Sequence, residues 1–282
     1  MRLTASAYSF EVLPLEACLS IVKHMGFKAV DLSGFHARGR ASIEPEAIAA
    51  DPDREADALG ELLTRYGLVC TDFFPQFGTS PDDHALNDPD PAVQERNLAL
   101  IRGCARFCQR LGIPGMTILP GVDHPLRRHE DNFQIAGHNL RLAANIAEEY
   151  GVQLRFEPHM GSVAQTPELA IRLVTEFAPT ARITLDYSHF VLQYIALERI
   201  HACIPYTGHV HVRPTRPGKL QTRHIENTIP WADVIERLRA IGYHGALSLE
   251  YVCADWFDLN QLDTLYETWT TKDALLPLVG AL

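Results

Sequence analysis

The sequence predicts one domain, residues 1–282, folded as an α/β barrel of eight strand–helix units, a (β/α)8 TIM-type barrel. Three observations predict it. Strand-like and helix-like segments alternate along the whole chain. Eight such units share 282 residues, about 35 each, a natural length for a strand and its crossover helix. Acidic and histidine side chains fall at the C-terminal ends of the last four strands, the end of a barrel where chemistry is placed.

Taken in order, LTASAYSF reads as the first strand, and PLEACLSIVKHM as an amphipathic helix closed by Gly26. KAVDLSGF is the second strand, followed by a helix over 54–66, and LVCTDFF is the third strand. A loop rich in Pro and Asp (75–91) leads into a helix over 92–111. GMTILPG is the fourth strand, and the helix after it runs through HNLRLAANIAEEYG. VQLRFEPH, ARITLDYSHF, TGHVHVRP and GALSLEY supply strands five to eight. Helices at 167–177, 190–203, 231–241 and 260–278 fit between and after them. Because each helix is a crossover, the sheet is parallel. The alternative is an open doubly wound sheet, but no G-x-G-x-x-G follows the first strand and no Walker sequence occurs.

Hydrophobic residues make up 46% of the chain and charged residues 21%, ample for a sizeable core. No apolar run approaches the length that spans a bilayer, and MRLTASAYSF lacks the long apolar stretch of a secretion signal. A cytoplasmic protein without membrane contact is expected. The six cysteines form no CxxC pair, and Cys104 and Cys108, four apart on a helix, are expected to be core thiols. The net charge of −10 opposes binding to a phosphate backbone, so nucleic acid is not an expected partner. Homo-oligomerisation is left open.

Strand alternation sorts the last four strands into two faces. Val152, Leu154 and Phe156 oppose Gln153, Arg155 and Glu157, and Ile183 and Leu185 oppose Arg182, Thr184 and Asp186. Val210 and Val212 oppose His209, His211 and Arg213, and Leu247, Leu249 and Tyr251 oppose Ala246, Ser248 and Glu250. The apolar sets belong under the helices and the polar sets inside the barrel. Four adjacent strands thereby deliver Glu157, Asp186, His211 and Glu250 to one rim. Three carboxylates gathered there raise each other's pKa unless a cation compensates them. One divalent metal ion held by these four residues is the expected solution. The set suits Mn2+, Mg2+ or Co2+ better than a thiolate-type structural zinc site, with Zn2+ an allowed occupant. The alternative is four separate salt-bridge or capping residues.

Other residues carry weaker signals. His209 lies one layer below His211, where an interior hydrogen bond is expected rather than ligation. His159 shares the face of Glu157, either lining the site or sitting in a loop. Tyr8, Phe35, Phe73, Phe74, Phe77 and Phe190 lie near strand ends, either as an apolar wall of the barrel mouth or as ordinary buried aromatics. Arg127, Arg128 and His129 read as a solvated loop.

The motifs FEPH, LDYSH, GHVHVRP and LSLEY resemble the strand-end motifs of the xylose isomerase-like TIM-barrel superfamily, which holds sugar isomerases, ketose 3-epimerases, inosose dehydratases and the endonuclease IV group. The resemblance covers nearly the whole chain and implies the metal ligands Glu157, Asp186, His211 and Glu250. It also implies that His189, in D-x-x-H from Asp186, contacts substrate oxygen as in the epimerase-type members. The departures are informative. Strands two to four offer no histidine pair and RHIENTIPW lacks D-x-H, so the extra zinc ligands of endonuclease IV have no counterparts. The substrate-binding arginine of the ketose epimerases, six residues after the strand-seven histidine, is replaced by Pro217, with Arg213 and Arg216 nearby. Arg213, in phase with His211, has the better geometry to bind substrate. Xylose isomerases proper carry Glu-Pro-Lys after strand five, and this chain has Glu157-Pro158-His159.

The expected function is a metal-dependent isomerase or epimerase acting on a sugar, sugar acid or cyclitol by enediolate proton transfer. Glu157 and Glu250 are the acid–base pair, and His189, Arg213 and His159 bind substrate. The first alternative is a lyase or dehydratase acting through the same enolate. A phosphodiesterase and a non-catalytic metal-binding module follow.

Overall fold

In the computed structural model, residues 1–36 and 40–282 are described. Eight strands run β1 Arg2–Ser6, β2 Ala29–Phe35, β3 Val69–Gln76, β4 Gly115–Ile118, β5 Gln153–Phe156, β6 Arg182–Asp186, β7 Thr207–Val212 and β8 Ala246–Leu249. They form a closed parallel barrel in sequence order, sealed where Arg2, Leu3, Thr4 and Ala5 of β1 pair with Ala246, Leu247, Ser248 and Leu249 of β8. The outer ring contains α1 Leu15–His24, α2 Pro45–Ala50, α3 Pro52–Tyr66, α4 Pro91–Leu111 and α5 His129–Glu149. It continues with α6 Pro167–Arg172, α7 Tyr187–Val191, α8 Leu197–His201, α9 Trp231–Ala240 and α10 Thr264–Val279. No helix among the described residues is long and apolar enough to cross a membrane.

The helices start and stop where side-chain chemistry dictates. Asp51, Asp90, Thr166 and Asp263 accept first-turn N–H bonds as N-caps, and Pro occupies the first turn of α3, α4 and α6. Gly67 and Gly112 close α3 and α4 at positive φ, 60° and 68°. The main core lies between strands and helices and includes Val30, Leu32, Leu154, Phe156, Ile183, Leu185, Val210 and Leu247, the apolar strand faces. Cys104 and Cys108 are buried in it.

Some elements differ from expectation. The first strand stops at Ser6, whose hydroxyl accepts the Tyr8 N–H, and residues 7–10 turn into a 3-10 helix. The short helix α2 lacks a strong sequence signal, being six residues long. The helix expected over 190–203 is two, α7 and α8, parted where Tyr194 adopts φ 61°. The helix over 167–177 holds its span but widens to π-type hydrogen bonding from Leu173 to Phe177. Arg127 is pinned rather than freely solvated, donating to the Asn87 and Pro89 carbonyls, while His129 opens α5 and pairs with Asp123.

The barrel interior is polar. Arg155 Nη1 donates to Asp72 Oδ1 at 2.7 Å, both buried. His209 Nε2 donates to Asp31 Oδ2 at 2.7 Å, and Thr71 donates to the other oxygen of Asp31. Thr117 and Thr184 share a hydroxyl hydrogen bond of 2.6 Å. Gly115 makes room for this layer, since a Cβ there would collide with the Arg155 guanidinium. This charged layer lies beneath the rim and supports it from below.

Candidate metal centre

The rim is built from strand geometry. Asp186 ends β6 in register with His211 of β7. Glu157 follows β5 with its N–H on the Ile118 carbonyl at 3.0 Å, and Glu250 follows β8 with its N–H on the Val212 carbonyl at 3.1 Å. Each residue is therefore held by the neighbouring strand, and the four side chains converge. One donor atom from each of Glu157, Asp186, His211 and Glu250 lies within 4.8 Å of the others, and all four residues are buried.

The contacts inside the cluster are close. His211 Nδ1 donates to Glu157 Oε1 at 2.5 Å and lies 3.4 Å from Glu250 Oε2. Arg213 Nη2 donates to Glu250 Oε2 at 2.6 Å and sits 3.3 Å from Asp186 Oδ2, while its Nε donates to the Glu250 carbonyl at 3.1 Å. Asp186 Oδ1 accepts the Ser188 N–H at 2.8 Å, which caps α7, but Oδ2 is buried without a hydrogen bond. His189 Nε2 stands 3.8 Å from that Asp186 oxygen and 3.9 Å from Glu157 Oε2.

The electrostatics reflect crowding out of water. Burial pushes Glu157 up to about 7, against the pull of His211. For His211, burial disfavours the charged ring, yet Glu250 and Glu157 outweigh it and raise the ring to about 10. Burial lowers His159 to about 4, and burial together with the Arg213 charge holds His189 well below the ordinary histidine range. His159 and His189 are thus neutral rings at pH 7.

The donor set fits a divalent cation. Three carboxylates and one imidazole converge, and Asp186 Oδ2, ion-paired with Arg213 but without a hydrogen bond, is a buried lone-pair donor. Among the described residues, two other groups have similar spacing. Asp31, His209 and His211 form one, but Asp31 and His209 are already satisfied by each other. His36, Glu44 and Glu46 form a surface group paired internally and, through Glu46, with Arg96.

A cavity of about 690 Å3 opens at the C-terminal end of the barrel. Glu157, Glu250, His159, His189 and Arg213 line it, whereas Asp186 and His211 lie beneath its surface. His159 Nδ1 donates to the Met160 carbonyl at 2.8 Å, which leaves buried Nε2 as an unpartnered acceptor. Arg216 is exposed and away from the cavity. Tyr8, Phe35 and Phe74 form an apolar wall of edge-on rings, with centroids 4.7 and 5.3 Å apart, and Phe74 stacks on His211 at 6.1 Å. Phe73, Phe77 and Phe190 belong to the core instead. Sequence reasoning missed Asp31 and Asp72 as the partners of His209 and Arg155. The same strand alternation that singled out the later strands would have placed both acids inside the barrel.

Comparison with known proteins agrees with this architecture. Residues 19–269 match the family model described as xylose isomerase-like TIM barrel. A putative hydroxypyruvate isomerase from Streptomyces coelicolor is 27% identical over 260 residues, covering 87% of this chain and 88% of that protein. The crystal structure of D-psicose 3-epimerase with D-tagatose from Clostridium cellulolyticum H10 superposes with a TM-score of 0.76 at 18% identity, covering 99% of both chains. The IOLI protein with a bound zinc atom superposes with a TM-score of 0.74 at 18% identity, covering 99% of this chain and 98% of the other.

Proposed function

The chain belongs to the xylose isomerase-like TIM barrel family, and from that premise we propose that it is a divalent-metal-dependent isomerase or epimerase of a sugar, sugar acid or cyclitol. The convergence of four donor atoms within 4.8 Å, at the base of a cavity that Glu157 and Glu250 also line, carries the proposal. The epimerase and isomerase names of similar proteins support it, and the zinc atom bound by one of them supports a metal-binding reading.

In this reading Glu157, Asp186, His211 and Glu250 hold one ion. When bound, a divalent ion supplies Lewis acidity that stabilises negative charge on a substrate carbonyl oxygen. Mn2+, Mg2+ and Co2+ suit the oxygen-rich donors, and zinc is accommodated as well. Glu157 and Glu250 face the cavity and act as an acid–base pair: one carboxylate takes the proton from the carbon beside the carbonyl, and the other delivers a proton. His189 and Arg213 bind substrate oxygens. His159, held as its Nδ1–H tautomer, accepts a hydrogen bond from a substrate hydroxyl at Nε2. A neutral histidine here does not provide the fixed positive charge of a lysine, which favours proton transfer through an enediolate over hydride shift.

Turnover in D2O tests the mechanism. Deuterium is expected on the carbon next to the carbonyl of the product, and product free of solvent deuterium at early and late times would overturn proton transfer. Glu250→Gln is expected to keep the ion, because the amide oxygen still ligates, and to lose exchange at one carbon by about a hundredfold or more. Mass spectrometry of the product and metal analysis of the variant check both outcomes.

A further inference from the structure

We propose that the substrate has two rings: a sugar whose reacting carbons lie over Glu157 and Glu250, and a second ring, glycosyl or aryl, laid against Trp256 and Phe257 at the cavity mouth. The position of the first ring rests on the epimerase reading above.

The size of the cavity is the first observation. It measures about 690 Å3. At roughly 30 Å3 per water, the cavity holds roughly twenty-three waters, more than the closer-packed, bonded atoms of a single hexose displace. A monosaccharide at the metal end therefore leaves part of the space to solvent.

The second observation is what lines the far end. Trp256 and Phe257 border the cavity although they are 47% and 51% exposed. Their rings meet edge to face, with centroids 5.9 Å apart. Two adjacent aromatic side chains half open to water at a cavity mouth offer apolar area that a ligand ring can cover. The flat face of a pyranose or an aryl ring has the chemistry to cover it.

The third observation is that the loop carrying this pair is held in shape. Buried Gln221 accepts the Val252 N–H at 2.7 Å and donates to the carbonyls of Val252 at 2.9 Å and Leu259 at 3.2 Å, gripping both ends of the loop. The Asn260 N–H closes it on the Ala254 carbonyl at 2.9 Å. At its tip, Phe257 and Asp258 adopt left-handed backbone, φ 54° and 56°, which an aromatic residue rarely occupies. A glycine would relieve that strain but remove the ring.

Calorimetry on the Mn2+-loaded full chain tests the proposal with three probes: D-fructose, the disaccharide palatinose (glucosyl-fructose) and 6-O-benzyl-D-fructose. At least one two-ring probe is expected to bind about tenfold or more tighter than D-fructose. Preference for palatinose identifies a glycosyl second ring, and preference for the benzyl ether an aryl one. Trp256→Ala and Phe257→Gly, the latter compatible with the positive φ, are expected to collapse that preference to near unity. Equal affinity for all three probes, no binding of any probe, or a preference untouched by both variants overturns the proposal. Solvent deuterium exchange, measured in parallel, separates the two readings. Exchange into D-fructose without a ring preference leaves the epimerase standing and removes the second-ring site. A preference abolished by the variants, without exchange into any probe, does the reverse.

Discussion

Asp186→Ala and His211→Ala are each expected to strip the divalent ion and lower turnover on the order of a thousandfold, with the barrel still folded. The magnitude follows from the several kcal/mol that a Lewis-acid ion supplies, each 1.36 kcal/mol being about tenfold in rate. Both residues lie beneath the cavity surface, so their loss acts through the ion rather than through contact with substrate. Metal analysis after dialysis and far-UV circular dichroism are the measurements. A double variant that keeps stoichiometric metal sinks the ligand assignment. The same cluster predicts a proton signature. With its value raised to about 10, His211 carries a proton at pH 8 in the metal-free protein, donated to Glu157. An ion needs that imidazole nitrogen neutral, so binding expels the proton, and affinity rises with pH until about 10. Glu157, raised to about 7, adds a second displaced proton as pH falls below that value. Calorimetry in buffers of different ionisation enthalpy should therefore register about one proton released at pH 8 and more at pH 6. Release that is absent at pH 8 contradicts this picture.

Asp72→Ala is expected to lower the unfolding free energy by about 3–5 kcal/mol, because it leaves the Arg155 guanidinium buried without its 2.7 Å partner. The pair itself is costly: burial raises Asp72 even with His209 and Arg155 favouring its charge. Replacing both residues, as Asp72→Ala with Arg155→Met, should accordingly recover most of the loss. Denaturant unfolding of the single and double variants measures this. If the double variant is no more stable than Asp72→Ala, the charged layer is not an isolated pair but part of a wider network with His209 and Asp31.

Much of this protein is legible in local pattern. Alternation with period two is a property of each strand alone, so the facing of Glu157, Asp186, His211 and Glu250 follows from four short segments read separately. Their strand-end positions place these side chains at one end of the barrel before any contact is known. The parallel direction of the strands follows from the order of units, since each helix returns the chain to the same end of the sheet. These features depend on residues within a few positions of one another, and the sequence by itself determined them.

Only the tertiary structure decided the rest, because the deciding contacts join distant parts of the chain. Asp31 meets His209 across 178 residues, and Asp72 meets Arg155 across 83. Asp31 and His209 lie on β2 and β7, and Asp72 and Arg155 on β3 and β5, so only the assembled barrel brings each pair together. Arg213 and Arg216 are equally cationic in sequence, yet one is buried on Glu250 and the other faces water. The break at Tyr194 and the shape of the loop bearing Trp256 are set by hydrogen bonds from elsewhere, Gly218 to Leu192 and Gln221 to Val252 and Leu259. The periodicity of one segment reports which way a side chain points. The packing of the whole barrel decides what it meets there, because burial and partner charge are properties of the assembled fold.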